Sequence, residues 1–327
     1  MGKNIFIAGH NGMVGSSISR NINNNFSDDS IIQKSRKELD LMNQSNVNFF
    51  FDDTNIDQVY IAAAKVGGIL ANSNYPANFI YQNLMIQANL IEASFQNEIE
   101  RIIFLGSSCI YPKFADQPIK EESLLTGALE ITNEPYAIAK IAGISLCQSY
   151  NKQFGTDYRS LMPTNLYGEG DNYDSDNSHV IPGLIKRFHS AKIADDPLIS
   201  IWGTGKPMRE FLYVDDLAEA SSYIMGLSMQ DFNNCHDNKF THLNVGSGEE
   251  ISISELATLI GKVVGYNGKI VFDSNKPDGT PRKLLDSSKI KNLGWKPKID
   301  LETGLKITYK FFLDKEEIRE KLDESDK

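Results

Sequence analysis

The sequence predicts an α/β protein that consists of a doubly wound parallel sheet and a second, smaller domain of mixed α and β structure. The first half of the chain alternates short apolar runs with longer amphipathic stretches, which is the pattern of β-α-β units. After about Thr164, polar turn-forming residues accumulate and the apolar runs become shorter. With 327 residues, the chain is also long enough for about two domains.

The elements of the first half follow from these apolar runs. Strands are predicted over residues 4–8, 30–33, 59–62 and 101–105. A helix is predicted over 76–95, where Pro76 suits the first turn. A second helix over 135–154 ends before Gly155 and leads into a fifth strand over 158–162.

The second half reads less regularly. Strands are predicted over 198–202 and 243–245, and a helix begins at about Val214. A helix over 252–264 opens with a capping box formed by Ser252 and Glu255. The tail over 314–327 is dense in alternating charges, so we expect it to be frayed or bound to the surface.

Charge and cysteine content exclude several classes of protein. The chain has 33 Lys and Arg against 43 Asp and Glu, a net charge of −10, which argues against nucleic-acid or anionic-membrane partners. Since there is no long apolar run or signal-peptide pattern, we expect a cytoplasmic protein. Cys109, Cys147 and Cys235 have no metal-binding spacing, so neither a disulfide framework nor a metal site is expected.

A glycine-rich loop follows the first predicted strand. Its sequence, Gly9-His10-Asn11-Gly12-Met13-Val14-Gly15, has glycines at every third position. Such glycines let the backbone turn tightly, so that N–H groups at the helix N-terminus approach a pyrophosphate. Glycines at this position can also form a simple tight connection. The place between the first strand and its helix favours a Rossmann-type dinucleotide site.

The end of the second predicted strand indicates which dinucleotide is bound. In this fold an acid at that point bonds the ribose 2′-hydroxyl, whereas an arginine accommodates a 2′-phosphate. Here the strand is followed by Lys34, Ser35, Arg36 and Lys37, and the first acid is Glu38. A charged loop that is simply exposed to solvent can have the same run of residues. The order of residues favours NADPH over NADH.

One tyrosine of the thirteen is followed by a lysine four residues on, Tyr136 and Lys140. On a helix this spacing places both side chains on one face. We expect the ammonium, with the cofactor's positive charge, to lower the pKa of the phenol so that it exchanges a proton with a carbonyl oxygen. Ser107, at the end of the fourth strand, can share that oxygen. A tyrosine on a helix can also be a simple core residue.

Together these features resemble the extended short-chain dehydrogenase/reductase superfamily, which works on nucleotide sugars. Longer strings are similar to the GDP-L-fucose synthase family, and the similarity runs from Gly9 to about Trp295. The strings are residues 106–113, 133–140, 162–168, 178–182, 202–211 and 276–283. That family converts GDP-4-keto-6-deoxy-mannose to GDP-L-fucose with NADP(H) as the cofactor.

The resemblance implies five catalytic residues. Ser107, Tyr136 and Lys140 match the family's reductase triad, and Cys109 and His179 match its epimerase pair. A ketone at C4 acidifies the hydrogens on C3 and C5, so an acid and a base beside the sugar can invert both centres. Without the resemblance, Cys109 would read as a buried small apolar residue and His179 as a surface histidine.

The resemblance also implies binding residues. The cofactor positions are Gly9, His10, Asn11, Gly12, Met13, Val14, Gly15, Arg36, Leu41, Ala62, Leu105, Gly106, Tyr136, Lys140, Pro163, Asn165, Leu166 and His179. The substrate positions are Ser108, Arg187, Trp202, Arg209, Asp278 and Lys283. The arginines supply the positive charge that a diphosphate needs in an acidic protein, and Asp278 can accept hydrogen bonds from guanine or from a ribose.

The domain assignment follows from these residues. We expect residues 1–165 to form the NADP-binding domain, with segments at about 195–225 and 240–248 returning to it. The rest of 166–327 is expected to form the smaller, GDP-sugar-binding domain. A homodimer is expected by analogy with the fold.

Two departures from the family pattern affect the prediction. Asn11 stands where a basic residue would help to hold the 2′-phosphate, so the NADPH preference rests mainly on Arg36. The segment 168–177, which leads to His179, is less similar and can reshape the sugar pocket.

Two other functions remain open. One is a C4-reductase of a related GDP-4-keto sugar, such as a 6-deoxy-heptose, with weak or no epimerase activity; the presence of Cys109 and His179 favours the bifunctional enzyme. The other is a non-catalytic NADP-binding regulator. Loss of Tyr136 or Lys140 would indicate the regulator, and both residues are present.

Overall fold

A computed structural model describes residues 2–173, 178–234, 242–276 and 278–325. Cys235 and Pro277 lie outside these residues. In the described part of the chain, no helix is both long and apolar enough to cross a membrane.

Strands and helices alternate along most of the chain. The strands are β1 Asn4–Ala8, β2 Ser30–Ile32, β3 Gln58–Ile61, β4 Arg101–Leu105, β5 Asp157–Pro163, β6 Asn165–Tyr167, β7 Leu198–Trp202, β8 Met208–Tyr213, β9 His242–Val245, β10 Glu250–Ser252, β11 Lys269–Asp273 and β12 Arg282–Lys283. The α-helices are α1 Met13–Asn25, α2 Gln44–Asp52, α3 Ile69–Asn74, α4 Pro76–Gln96, α5 Glu134–Phe154, α6 Val180–Ile193, α7 Val214–Gly226, α8 Met229–Asn233, α9 Ile253–Val264, α10 Ser288–Asn292 and α11 Leu301–Ser325. Two short 3₁₀ helices cover Ser108–Ile110 and Glu121–Ser123.

The predicted elements are found within one residue of their expected ends. The strands over 4–8, 101–105 and 198–202 are confirmed at both ends. The capping box is confirmed, with the Ser252 side chain and Glu255 each accepting a backbone N–H of the other. The tail is helical as far as Ser325 rather than frayed, and its binding to the surface stays a prediction.

The large sheet has six parallel strands in the order β2-β1-β3-β4-β5-β9. Successive side chains along a strand point to opposite faces of the sheet. Each strand therefore contributes side chains to two hydrophobic cores, one on each face. Ile102 and Phe104 of β4 pack into the core shared with α4 and α5. Ile103 and Leu105 pack into the core shared with α1 and α7. The predicted doubly wound parallel sheet is confirmed.

The smaller sheets have mixed strand directions. β8 pairs with β6 and β12 in parallel and with β10 in antiparallel, and β7 pairs with β11 in parallel. They share a core with α6, α9 and α11. Of the segments expected to return to the first domain, β9 joins the large sheet, α7 packs on α1, and β7 and β8 lie in the smaller sheets. The domain division itself stays a prediction.

A buried charge cluster connects the beginnings of β4 and β5, in the large sheet, to the end of α7. Asp157 accepts hydrogen bonds from Arg159 Nε and Nη2, both at 2.6 Å, and from Arg101 Nε at 2.7 Å. The guanidinium of Arg159, whose side chain is 0% exposed, also donates to the carbonyl oxygens of Ile224 and Leu227. Burial lowers the pKa of Arg159, and the Asp157 carboxylate opposes that effect.

Removing the carboxylate charge is expected to destabilise the fold. An Asp157→Asn variant leaves the buried Arg159 charge without its counter-ion and takes one of two carboxylate partners from Arg101. Breaking a buried ion pair in this way costs about 3–5 kcal/mol. Urea unfolding followed by circular dichroism measures the change in the free energy of unfolding. Asp28→Asn, at an exposed position, is the matched control. An unchanged midpoint for Asp157→Asn would contradict this role.

Candidate active site

The glycine loop connects β1 to α1 and has room only for glycine at two positions. Gly9 has φ +88°, and a Cβ there would lie 2.6 Å from Ala63 N. A Cβ at Gly15 would lie 2.2 Å from Gly9 O. Gly12 is the N-cap of α1 and supplies no side-chain acceptor. The first N–H groups of the helix are therefore not taken by a capping side chain, which fits a pyrophosphate.

In the loop after β2, one arginine is exposed and one acidic side chain is hydrogen-bonded within the loop. Glu38 Oε2 accepts hydrogen bonds from Ser35 Oγ at 2.6 Å and from Ser35 N at 2.8 Å, and these bonds lower the pKa of Glu38. Arg36 is exposed and forms no hydrogen bond or ion pair with the described residues. Glu38 is thus hydrogen-bonded to Ser35, while Arg36 has no partner among the described residues. The loop therefore fits a 2′-phosphate, to which the arginine can donate.

The other predicted cofactor positions lie where the parallel strands end. Leu41 lies between β2 and α2, and Ala62 comes directly after β3. Leu105 is the last residue of β4, and Gly106 follows it. Pro163 is the last residue of β5, and Asn165 and Leu166 lie in β6. In the described part of the chain, His10 Nδ1, in the glycine loop, is buried and has no hydrogen-bond partner. Asn11 is exposed. The sheet thus brings these positions to one edge, where an α/β fold binds its ligand.

Three of the predicted catalytic side chains meet beyond the end of β4. Ser107 caps the short helix Ser108–Ile110, and its Oγ accepts the Cys109 N–H at 3.2 Å. Tyr136 lies close enough to Ser107 and Cys109 for both to influence the pKa of its phenol, in opposite directions. Ser107, Cys109 and Tyr136 therefore lie close together.

The expected lowering of the Tyr136 pKa by Lys140 together with the cofactor's positive charge stays a prediction. Burial raises the pKa of the phenol, Cys109 adds to that effect and Ser107 opposes it. Lys140 Nζ instead donates to Leu105 O at 2.8 Å and lies 6.0 Å from the centre of the Tyr136 ring. Burial lowers the pKa of Lys140 itself to about 7. Spacing along a helix predicts which side chains share a face, but it does not predict how deeply each side chain is buried.

His179 begins a different element of the chain. It is the N-cap residue of α6, and its side chain is exposed. The protein atoms around the ring still displace enough water to lower the pKa of the imidazole, so more of it is neutral near pH 7. Among the described residues, no hydrogen bond joins His179 to Ser107, Cys109 or Tyr136. Its membership of the site stays a prediction.

The predicted substrate residues lie mainly on the smaller sheets. Arg187 Nη1 donates to Ser200 O at 2.9 Å, which holds this exposed side chain against β7. Trp202, at the end of β7, is 65% exposed. Burial lowers the pKa of Arg209, while the charge of Asp278 opposes that effect. Ser108 is buried and presents no open surface.

Asp278 has partners within the chain. The Thr204 backbone N–H donates to Asp278 Oδ1 at 2.6 Å, and the Thr204 hydroxyl donates to Oδ2 at 2.8 Å. Each carboxylate oxygen can accept a second hydrogen bond, so a guanine donor can still be accommodated.

Sequence reasoning missed one neighbouring residue, Lys276, and one contact of a predicted residue, Lys283. Lys276 Nζ lies 5.2 Å from the centre of the Trp202 ring. Lys283, predicted to bind substrate, donates from Nζ to Cys109 Sγ at 3.6 Å. No pattern along the chain brings residues 174 positions apart together, so only the structure shows the second contact.

Known proteins share both the sequence and the fold. Residues 5–238 match the model of the NAD dependent epimerase/dehydratase family. GDP-L-fucose synthase of Escherichia coli (strain K12) is 55% identical over 313 residues, which cover 96% of this chain and 97% of that protein.

Two solved structures from Campylobacter jejuni are similar over nearly their whole length. A GDP-6-OMe-4-keto-L-xylo-heptose reductase has a TM-score of 0.90 at 37% identity, covering 96% of this chain and 98% of that one. MlghC, a GDP-mannoheptose C4 reductase with NADP bound, has a TM-score of 0.86 at 38% identity, covering 95% and 98%. A nicotinamide cofactor is thus indicated by the family and by these neighbours. The chain belongs to the NAD dependent epimerase/dehydratase family and, within it, to the GDP-L-fucose synthase group of epimerase/reductases.

Proposed function

We propose that the chain converts GDP-4-keto-6-deoxy-D-mannose to GDP-L-fucose by 3,5-epimerisation followed by NADPH-dependent reduction at C4. The observation that carries the proposal is the meeting of Ser107, Cys109 and Tyr136 beyond the end of β4, next to buried Lys140. The related GDP-L-fucose synthase of E. coli supports the choice of substrate. One ketone then serves two reactions in one site.

In the reduction, Tyr136 donates its proton to the C4 oxygen and Ser107 holds that oxygen. When bound, NADPH supplies the hydride that C4 receives. The raised pKa of Tyr136 keeps the phenol protonated at neutral pH, so it is ready to act as the acid. Lys140, fixed on Leu105 O, lies beside the cofactor edge of the sheet and is expected to hold the nicotinamide ribose.

In the epimerisation, Cys109 and His179 exchange protons with C3 and C5 from the two sides of the sugar. Removing a proton next to the ketone places negative charge on the C4 oxygen. The Ser107 and Tyr136 hydroxyls are placed to donate hydrogen bonds to that enolate oxygen. No further group is needed to stabilise the intermediate.

The nucleotide is expected to bind along β7, β8 and β12. Arg187 and Arg209 supply positive charge for the diphosphate, in a chain whose net charge is −10. The exposed Trp202 ring offers an apolar face to the base, and Asp278 offers carboxylate lone pairs to guanine N–H groups.

The cofactor is proposed to be NADPH, held at its 2′-phosphate by Arg36. Replacing Arg36 with alanine is expected to weaken NADPH binding by about 10- to 150-fold, since a hydrogen-bonded charge is worth roughly 1.5–3 kcal/mol, and to leave NADH binding nearly unchanged. Fluorescence titration with both cofactors measures the change. Lys152→Ala, which removes an exposed cation in the last turn of α5, is the control. An equal loss for NADH would contradict the assignment.

A C4-reductase of a GDP-4-keto-heptose is the second candidate function. It is favoured by the similarity to the heptose reductase of C. jejuni. NADPH consumption with the hexose and heptose substrates, followed by identification of the product, separates the two. We expect GDP-L-fucose from the hexose substrate and slower turnover of the heptose. Faster heptose turnover, with the C3 and C5 configurations retained, would contradict the proposal.

Three expectations about the protein in the cell stay predictions. A cytoplasmic location is inferred from the sequence patterns described above, and a homodimer from analogy with the fold. The expectation that the chain binds neither nucleic acid nor membrane rests on its charge of −10.

A further inference from the structure

Lys283 reaches Cys109 from a strand that belongs to the smaller sheets. β12 consists of Arg282 and Lys283 alone, and it pairs in parallel with β8 so that Lys283 lies opposite Arg209. Paired residues of neighbouring strands project to the same face of a sheet. Lys283 therefore lies between Arg209, expected at the diphosphate, and Cys109, expected at the sugar.

The backbone of this short strand is held firmly on both sides. The carboxylate of Glu210, which is 0% exposed, accepts the Leu285 N–H at 3.0 Å and the Gly248 N–H at 2.7 Å. Arg282 forms two hydrogen bonds with Glu250, at 2.8 and 2.9 Å. Because these contacts fix the residues before and after Lys283, they also fix the backbone position from which its side chain extends.

The ammonium of Lys283 has a sulfur as its hydrogen-bond partner. Nζ donates to Cys109 Sγ at 3.6 Å, and no carboxylate pairs with Lys283 in the described part of the chain. The Cys109 N–H donates to Ser107 Oγ at 3.2 Å, which holds the Cys109 backbone next to Ser107. An ammonium is only a donor, so the sulfur must accept, and a neighbouring cation favours a thiolate over a thiol.

We propose that Lys283 is a positioning residue for Cys109, holding its sulfur beside the sugar through the contact between Nζ and Sγ. This inference rests on the proposed epimerase function of the site. In that reaction the Cys109 sulfur takes a proton from a carbon next to the ketone and becomes a thiol, while the electron pair of the broken C–H bond forms the enolate. Lys283 keeps its proton and its charge throughout, so hydride transfer to C4 makes no use of the contact.

The free enzyme provides the first test, which requires no substrate. Wild type, Lys283→Met and Lys283→Arg are treated with iodoacetamide at one pH, and mass spectrometry follows alkylation of the peptide that contains Cys109. We expect alkylation about tenfold slower in Lys283→Met, with partial recovery in Lys283→Arg, since a cation replaces a cation. Equal rates in wild type and Lys283→Met would overturn the proposal. NADP binding and circular dichroism establish that each variant is folded.

The second test separates positioning from simple binding of the diphosphate. Deuterium exchange at C3 and C5 in D₂O is compared with oxidation of GDP-L-fucose by NADP⁺, which reports hydride transfer alone. Both are measured at saturating substrate. We expect the ratio of exchange to hydride transfer to fall by about tenfold in Lys283→Met. A common rise in KM with an unchanged ratio would indicate binding only and would refute the positioning role.

The two tests also distinguish failure of this inference from failure of the proposed function. If wild type neither exchanges deuterium nor oxidises GDP-L-fucose, the proposed function is wrong. The alkylation rates then still decide whether Lys283 governs the reactivity of Cys109.

Discussion

A Tyr136→Phe variant is expected to lose C4 reduction by about 10²–10⁴-fold, the range that positioned acid catalysts contribute. The phenol is the acid that the C4 oxygen needs when hydride arrives, and phenylalanine fills the same space without a proton to donate. Ser107 remains, but its hydroxyl is a much weaker acid. NADPH oxidation in the presence of the substrate measures the loss.

The matched control for this variant is Tyr81→Phe, because Tyr81 is an exposed tyrosine on α4. It should turn over like wild type. NADP binding should also be kept in Tyr136→Phe, since the phenol hydroxyl serves the reaction and the glycine loop holds the dinucleotide. Reduction by Tyr136→Phe at the wild-type rate would contradict the assignment of the acid.

A Cys109→Ala variant is expected to lose deuterium exchange at C3 and C5 by about 10²-fold or more, while oxidation of GDP-L-fucose by NADP⁺ continues. Removing the sulfur takes away one of the two groups that move protons on the carbons. Tyr136, Ser107 and Lys140 keep their contacts at the oxygen and the cofactor edge. Nuclear magnetic resonance of the sugar measures exchange, and absorbance of NADPH measures hydride transfer.

Cys147→Ala provides the control for the cysteine variant. Cys147 is a free cysteine buried in the core, so the change removes a sulfur from the protein away from the sugar. Its exchange rate should match that of wild type. A variant without Cys109 that still exchanged both positions would show that another group is the base.

The parts of the site that lie close together along the chain were predictable. A glycine loop between a strand and a helix, a serine at a strand end, and a Tyr/Lys pair four residues apart are local patterns. The sheet order then brings the strand ends to one edge, as in other α/β folds. Ser107 and Tyr136 meet there for this reason.

The rest depends on contacts between distant residues and on burial. β12 is two residues long, and its place beside β8 follows from side chains such as Glu210 that no periodicity reveals. The pKa of Tyr136 moves upward because the phenol is buried, which spacing cannot show. The charged tail is helical as far as Ser325, because it continues the long helix α11.

The most direct test of the account is incubation of the wild-type protein with GDP-4-keto-6-deoxy-D-mannose in D₂O without NADPH. Epimerisation through an enolate predicts deuterium at both C3 and C5 before any reduction, and addition of NADPH then yields GDP-L-fucose that carries both labels. A heat-inactivated sample corrects for spontaneous exchange. Turnover of NADPH with no deuterium at either carbon would contradict the claim that one site performs both reactions.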